Sequence, residues 1–318
     1  MDSTLLLTIA LLVLPVVLLL AFSGCLGEDV GPYVQAKEEA EKKAADAEKK
    51  VAEDATAKVE SKYDKKLAKE TKLVSWWRLD DGQPETGDLV ALDSAKGAPS
   101  NGQYKNLPGL RRGEKGAVNV DKNAAVEFLG TVGYVEVPFD PLRNPPMAFS
   151  LELWVLPDPQ PDATPPQVLV GSYETNASGQ VVRGFALELL YGPVLRVRGR
   201  VGNDGVQTTL EASLGDGLQL SGWRHVVMTY NGAAQQLQLY VNADDGKADA
   251  TLPTAALPAP VGYKANAAMP LRIGAGNLEL PVPATPGLFF KGRIDEVALY
   301  NAELSGPSIR EHFLAATA

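Results

Sequence analysis

The sequence predicts an all-β domain carried on an N-terminal anchor and a helical stalk. From residue 73 onward, short apolar runs alternate with turns rich in Gly, Pro, Asn and Asp, which is typical of folds with many strands. The stretch from Ser221 to Asn242 shows period-2 alternation on both sides of Asn231-Gly232, the pattern of a β-hairpin. Before residue 73, the chain has one long apolar run and then a segment rich in Ala, Lys and Glu.

Composition limits the classes of function. The 318 residues are 45% hydrophobic and 22% charged, as in ordinary globular proteins, and leave room for one large β domain or two smaller ones. The net charge is −9, and no basic stripe interrupts the predicted domain, which argues against a nucleic-acid partner. Cys25 is the only cysteine, so a disulfide within the chain and a thiolate metal cluster are both excluded.

The N-terminus is predicted to be a membrane anchor. Leu5 to Phe22 is almost entirely apolar and leads into Ser23-Gly24-Cys25, which resembles a bacterial lipobox. The resemblance implies that residues 1–24 are a signal peptide and that Cys25 is acylated. Phe22 stands where Leu is usual, and residues 1–4 lack a positive charge, unlike ordinary signal peptides.

An uncleaved transmembrane helix remains the alternative, since about 18 apolar residues can just span a bilayer. Both interpretations place the rest of the chain outside the cytoplasm, at the bacterial cell envelope. Leu26 follows the cysteine where Asp would signal inner-membrane retention, which favours the outer membrane or cell surface.

Residues 25–72 are predicted to form a stalk. From Gln35 to Lys72 the segment consists mainly of strong helix formers, and pairs such as Glu38–Lys42 place acid before base at i,i+4. A thin apolar line runs from Ala40 through Val51 to Leu67. A solvated single helix acting as a spacer and a coiled coil that self-associates through residues 51–67 both fit this pattern.

The domain, residues 73–318, is divided by turn signals into short strands and one closing helix. The helix is predicted at Ser308–Ala315, after Pro307. Strands are predicted at Leu73–Leu79, Ala125–Leu129, Tyr134–Val137, Ala148–Leu156, Gln167–Tyr173, Gly184–Tyr191, Val194–Val201, Gln207–Ala212, Trp223–Tyr230, Gln236–Asn242, Leu271–Gly274 and Phe289–Tyr300.

Several ordered segments carry a family resemblance. These are W-W-R-L-D-D-G (76–82), D-S-A-K-G-A-P-S-N-G (93–102), F-S-L-E-L-W-V-L-P (149–157), W-R-H-V-V-M-T-Y-N-G (223–232), L-R-I-G (271–274) and F-K-G-R-I-D-E-V-A-L-Y-N (290–301). Together they resemble laminin-G-like, concanavalin A-like lectin and glucanase domains. The resemblance implies a two-sheet antiparallel jelly-roll sandwich, in a superfamily of lectins, pentraxins, adhesion modules and some glycosidases.

Catalytic motifs are lacking in the sequence, and we expect no enzymatic activity. Retaining glycosidases need two carboxylates about 5 Å apart, whereas Glu152 and Glu188 lie on predicted strands with no acid at i+2. His225, on a predicted strand, is expected to be structural. His312, in the predicted C-terminal helix, is expected at the surface.

A structural Ca²⁺ is the one cofactor that we expect. The resemblance implies calcium on the edge of the sandwich, and Ca²⁺ takes six to eight oxygens from carboxylates and loop carbonyls. Asp93 opens a loop rich in Gly, Ser and Asn, and Asp295 lies in the strand R-I-D-E-V. In the alternative, Asp93 caps its own turn and Asp295 accepts backbone hydrogen bonds.

The function indicated is that of a membrane-anchored binding module, lectin-like or adhesive, for carbohydrate or envelope-protein ligands. A structural subunit of an envelope or appendage assembly is the alternative, and an envelope glycosidase is a third. Trp76, Trp77, Trp154 and Tyr191 could stack on sugar rings or fill the core, so the sequence identifies no ligand-binding residue.

Overall fold

The computed structural model describes residues 61–81, 89–119, 123–216, 222–242, 253–257, 260–278 and 285–318. They belong to one compact unit that begins at Val59. The predicted anchor at residues 1–24, Cys25 and the stalk as far as residue 60 lie outside the described residues. No helix within the described ranges is long and apolar enough to cross a membrane.

The described chain is built mainly from strands, with a short helix at each end. The helices are α1 (Lys62–Leu67) and α2 (Gly306–Thr317). The strands are β1 (Leu73–Trp77), β2 (Val90–Ala91), β3 (Gly102–Lys105), β4 (Leu110–Lys115), β5 (Ala124–Leu129), β6 (Tyr134–Val137), β7 (Ala148–Pro157), β8 (Gln167–Thr175), β9 (Val181–Leu190), β10 (Val194–Asn203), β11 (Val206–Asp216), β12 (Arg224–Asn231), β13 (Gln236–Val241), β14 (Ala255–Leu257), β15 (Leu271–Ile273), β16 (Gly276–Asn277), β17 (Pro286–Gly287) and β18 (Lys291–Tyr300).

Two antiparallel sheets form the expected sandwich. Sheet 1 has the order β14-β13-β12-β7-β18-β5-β4, with β1 paired to β18. Sheet 2 has the order β11-β10-β9-β8-β15-β6-β3-β2, and β16 and β17 form a separate small ribbon. The prediction of an all-β, two-sheet antiparallel sandwich is therefore confirmed.

Alternation along the strands decides which side chains enter the main core. On β7, the predicted set Phe149, Leu151, Leu153 and Val155 is fully buried between the sheets. The opposite set, which includes Glu152 and Trp154, lies on the outer face of sheet 1. Because β7 is the middle strand of that sheet, its outward side chains lie at the centre of the face.

Both helices cover the outer face of sheet 1. Tyr63 and Leu67 of α1 and Ile309 of α2 are fully buried in a second apolar cluster with residues of that face, among them Tyr300. A capping box begins α1, since the Ser61 hydroxyl accepts from the backbone N–H of the third helical residue. The sequence interpretation assigned residues 61–72 to the stalk, whereas α1 packs as part of the domain.

Each strand predicted from the sequence is present, with ends shifted by a few residues. The strands that the sequence did not predict are short, from two to six residues: β2, β3, β4, β14, β16 and β17. β4 has the sequence L-R-R-G-E-K, with few apolar side chains, and pairs along one side with β5 at the edge of sheet 1. Such strands form because a neighbouring strand pairs with them, and hydrophobic periodicity carries little sign of them.

Candidate functional site

Glu152 lies at the centre of a buried polar cluster under the two helices. Its carboxylate accepts hydrogen bonds from Tyr300 Oη at 2.7 Å and from Tyr63 Oη at 3.2 Å. His225 Nε2 lies 2.7 Å from Oε1, and His312 Nδ1 lies 3.0 Å from Oε2. Four donors from β12, β18, α1 and α2 therefore meet one carboxylate of β7. We call these five residues the Glu152 cluster.

The charges in this cluster stabilise one another. Burial alone would raise the pKa of Glu152, but the charge of His312 and hydrogen bonds from His225 and His312 outweigh it and hold the pKa below its ordinary value. Burial alone would lower the pKa of His312, but Glu152 and the hydrogen bond to Glu70 raise it to about 9. At neutral pH the cluster therefore holds a carboxylate and an imidazolium.

The expectation that His312 lies at the surface is wrong. Its side chain is 0% exposed, because α2 turns it toward sheet 1, where Glu152 neutralises its charge. The structural role expected for His225 agrees with its 1% exposure and its contact with Glu152. Glu152 has no acidic partner in this cluster, and its burial gives a glycan no access to it.

Asp93 is engaged as a turn-capping residue. Its Oδ1 accepts from the backbone N–H groups of Trp76 and Ala95 at 2.8 and 3.0 Å, and its Oδ2 accepts from that of Ser100 at 2.8 Å. Oδ2 also lies 3.5 Å from a guanidinium nitrogen of Arg143, which is 2% exposed. These donors occupy the oxygens that a cation would need, so Asp93 as placed does not fit a calcium ligand.

Asp295 is buried elsewhere, at the bulge of β18. Its Oδ2 accepts from Ala117 N at 2.8 Å, and among the described residues its Oδ1 has no hydrogen-bond partner. Burial, and next the charge of Glu296, raise the pKa of Asp295 well above its ordinary value. Glu296 has a φ of 53°, the left-handed backbone conformation that the bulge requires.

Among the described residues, the two aspartates share no hydrogen-bond partner. In the ranges that the structure describes, no group of three or more His, Cys, Asp or Glu side chains is placed to hold a metal ion. The calcium site at Asp93 and Asp295 stays a prediction from the sequence.

Most of the aromatic candidates for sugar stacking are core residues. Trp77 is 0% exposed, Trp154 2% and Trp76 5%. The Trp76 indole N–H donates to Glu296 at 2.6 Å, and Trp154 stacks on Phe313 with ring centroids 5.7 Å apart. Because almost none of their surface is exposed, these three rings serve as packing residues in this structure. Tyr191 is half-buried, and its hydroxyl donates to Gln167 at 2.9 Å.

The outer face of sheet 2 differs from that of sheet 1. Residues of β10 and β11 that point away from the core remain exposed there, namely Arg196, Thr209 and Ser213. The Arg196 guanidinium donates to Glu211 of the neighbouring strand at 2.8 Å and is 49% exposed. We call this area the β10–β11 face.

Next to these exposed residues, the β10–β11 face contains a network of ion pairs centred on one glutamate. Glu188 of β9 is buried, and its carboxylate accepts from Arg198 at 2.6 and 3.0 Å. It also pairs with Arg200, whose guanidinium lies over the Tyr173 ring, 5.5 Å from the centroid. Glu188, with no acid at i+2, thus holds two arginines of the adjacent strand in position.

A comparison with known protein families shows which superfamily this chain belongs to. A laminin-G model described as the concanavalin A-like lectin/glucanases superfamily matches residues 129–310, which is more than half of the chain. The chain belongs to this superfamily. No curated protein sequence matches this laminin-G-like chain.

Solved structures share the fold of this superfamily member at low identity. A structure of botulinum neurotoxin type C, whose cell entry is described as dependent upon interaction with two ganglioside molecules, has a TM-score of 0.50 and 12% identity, and the alignment covers 78% of this chain and 52% of that chain. A tryptophan-to-alanine mutant of HCR/D has a TM-score of 0.51 and 11% identity, with 76% and 51% covered. The laminin-G-like chain therefore spans about half the length of these structures.

Proposed function

We propose that this protein is a membrane-anchored cell-envelope protein that displays a laminin-G-like binding module, and that the β10–β11 face is its ligand face. One observation carries the choice of face: α1 and α2 cover the outer face of sheet 1, whereas Arg196, Thr209 and Ser213 remain exposed on sheet 2. The proposed ligands are carbohydrates or proteins of a cell surface.

The chemistry of the β10–β11 face suits a polar ligand. An arginine presents a planar fork of donors that can pair with carboxylate, sulfate or hydroxyl oxygens. Arg198 is held by the buried Glu188 and still has 22% of its side chain exposed. A side chain that is already fixed loses little entropy when a ligand binds, which favours affinity.

Relatives support a binding function by analogy. The superfamily includes lectins by its description, and the neurotoxin of the same fold is described as interacting with gangliosides. A fold by itself does not determine a ligand, so the proposal depends on the exposed polar groups of this face.

Anchoring is the second part of the proposal. The apolar run Leu5–Phe22 and Cys25 support a lipid anchor at the outer membrane or cell surface, with the domain outside the cytoplasm. Self-association through the stalk would have to use the part of its apolar line before Tyr63. Tyr63 and Leu67, which continue that line, are buried in the domain.

A glycan-array experiment with the full-length chain tests the ligand face. Arg196→Ala should reduce binding at least about tenfold, as expected when an exposed arginine of the site is lost. Arg111→Ala is the matched control, since Arg111 is 62% exposed and pairs with Glu127 of the neighbouring strand at 2.9 Å on sheet 1. Equal losses in both variants, or no loss in Arg196→Ala, would contradict the proposed face.

Other outcomes would favour the alternatives. Ordered oligomers of the full-length chain that disappear when residues 26–60 are deleted, without glycan or protein binding, would favour a structural subunit of an envelope assembly. Release of shortened products from a bound glycan would favour a glycosidase.

A further inference from the structure

The first described helix, α1, contacts the C-terminal helix. Lys66 of α1 forms an ion pair with Glu311 of α2. Asp64 of α1 accepts a hydrogen bond at 2.9 Å from Arg78, which lies just after β1. The first and last described segments of the chain therefore meet on the outer face of sheet 1.

The Glu152 cluster lies directly beneath these two helices. Tyr63, on α1, and His312, on α2, both donate to Glu152, which lies on the middle strand of the sheet. After α1, Glu70 accepts from His312 Nε2 at 3.3 Å, so His312 is bound on both ring nitrogens. One imidazole thus links the central strand, the C-terminal helix and the segment that leads away from α1.

We propose that Glu152, His312, Tyr63 and Glu70 form a charge-dependent clamp that holds α1 on the outer face of sheet 1. The clamp is closed while His312 carries its proton and Glu152 is ionised, and it opens when His312 loses that proton. This inference concerns the packing of α1 within the domain and is independent of the ligand proposed above.

The groups that face His312 account for this dependence on charge. Glu152 from β7 and Glu70 from the segment after α1 are the anionic partners, and the rings of Tyr63 and Tyr300 lie 6.4 and 6.3 Å from the imidazole. Glu152 itself also contacts His225 of β12 and Tyr300 of β18. Glu311, next to His312 on α2, is paired with Lys66.

A neutral His312 would leave the fully buried carboxylate of Glu152 without the positive charge that faces it. Burying a carboxylate without its counterion is strongly unfavourable. The Tyr63 and Tyr300 hydroxyls cannot supply a positive charge, and burial raises the pKa of both well above its ordinary value, so they stay neutral donors. Detaching α1 and α2 from the sheet would let water reach Glu152, which is why loss of the proton favours opening.

Proteolysis of the full-length chain measures the opening directly. Lys65 and Lys66 lie inside α1, and trypsin cleaves after them rapidly only when the helix is released. The rate at each pH is divided by the rate for a synthetic peptide of residues 59–72, which removes the pH dependence of the protease. Since the pKa of His312 is raised from 6.5 to about 9, the normalised rate should rise roughly twentyfold between pH 7.5 and 9.5.

Variants separate the clamp from ordinary stability. Glu152→Gln should give fast cleavage at both pH values, and His312→Gln should remove the pH dependence. Glu188→Gln is the matched control, because Glu188 is an equally buried strand glutamate that pairs with arginines on sheet 2, away from α1. This control should keep the wild-type increase between the two pH values.

Milder variants keep the test decisive if Glu152→Gln fails to fold. Tyr63→Phe removes one hydroxyl and should raise the normalised rate several-fold at pH 7.5 while it keeps the pH response. Glu70→Gln should shift the midpoint of the response to lower pH, since it removes one of the anionic partners. A flat wild-type profile, or identical profiles for wild type and Glu70→Gln, would overturn the proposal.

Discussion

His312 and Glu152 are separated by 160 positions in the chain, yet His312 Nδ1 donates to Glu152 Oε2 at 3.0 Å in the fully buried layer between the helices and sheet 1. A buried pair of opposite charges stabilises a fold only when hydrogen bonds satisfy the remaining polar atoms. Here His225, Tyr63 and Tyr300 supply those bonds. The contact joins the last helix of the domain to the middle of its first sheet.

The free energy of unfolding should fall in alkaline solution because of His312. Its pKa is raised from 6.5 in the unfolded chain to about 9 in the folded protein, so its contribution is complete below about pH 6.5 and is lost as pH rises through 9. Between pH 7 and 10 the loss should be roughly 2.5 kcal/mol. Urea denaturation at both pH values measures it. His312→Gln should show a smaller difference by that amount, and an unchanged difference would contradict the prediction.

The sandwich could be predicted from the sequence, whereas the Glu152 cluster could not. Alternation along β7 and β12 identifies the core-facing side chains, because successive side chains of a strand point to opposite faces of the sheet. The cluster gathers its members from α1, β7, β12, β18 and α2, and no local pattern links positions that distant. One signal was available: Ser150 and Glu152 alternate with the core residues of a central strand, so another element had to cover them.

The boundary of the domain was predicted too late in the chain for a related reason. Residues 61–72 continue the composition of the stalk, so charge and helix propensity give no sign that α1 packs on the sandwich. The burial of Tyr63 and Leu67 is decided by the shape of the outer face of sheet 1. Similarly, His312 was expected at the surface because the sequence around it does not indicate a carboxylate partner from a distant strand.

Loss of the packing of α1 should destabilise the whole domain. Leu67 is 0% exposed, so Leu67→Ala in the full-length chain should lower the free energy of unfolding by roughly 3 kcal/mol. Leu142→Ala is the control, because Leu142 is 59% exposed and its truncation should change stability by about 0.5 kcal/mol or less. Urea denaturation followed by circular dichroism compares the two. Equal stability of both variants would mean that α1 does not belong to the folded unit.

Lipid attachment at Cys25 is tested by metabolic labelling with a radioactive fatty acid. Wild-type protein should carry the label and lack residues 1–24, because acylation accompanies removal of a signal peptide at a lipobox. Cys25→Ala should be unlabelled and uncleaved, while Ser23→Ala, which keeps a small residue, should still be labelled. Retention of residues 1–24 in the wild-type protein would favour the transmembrane helix instead.

Asp93 should matter for stability whether or not calcium is present. Its carboxylate accepts hydrogen bonds from three backbone N–H groups. It also faces the buried guanidinium of Arg143, which pairs with Asp140 as well. Asp93→Ala removes these acceptors and should cost roughly 3 kcal/mol or more, as expected when one partner of a buried charged group is lost.

Melting temperatures of the wild type and of Asp93→Ala, each in a chelator and in millimolar calcium, separate the two roles of this residue. The structure leads us to expect the same decrease in both solutions, because the donors already occupy the Asp93 oxygens. Asp204→Ala is a suitable control, since Asp204 pairs with Arg183 and Lys264 at an exposed site. A calcium-dependent increase in the wild type that Asp93→Ala abolishes and Asp204→Ala preserves would instead establish the cation site predicted from the sequence, and would require Asp93 to exchange its backbone donors for the ion.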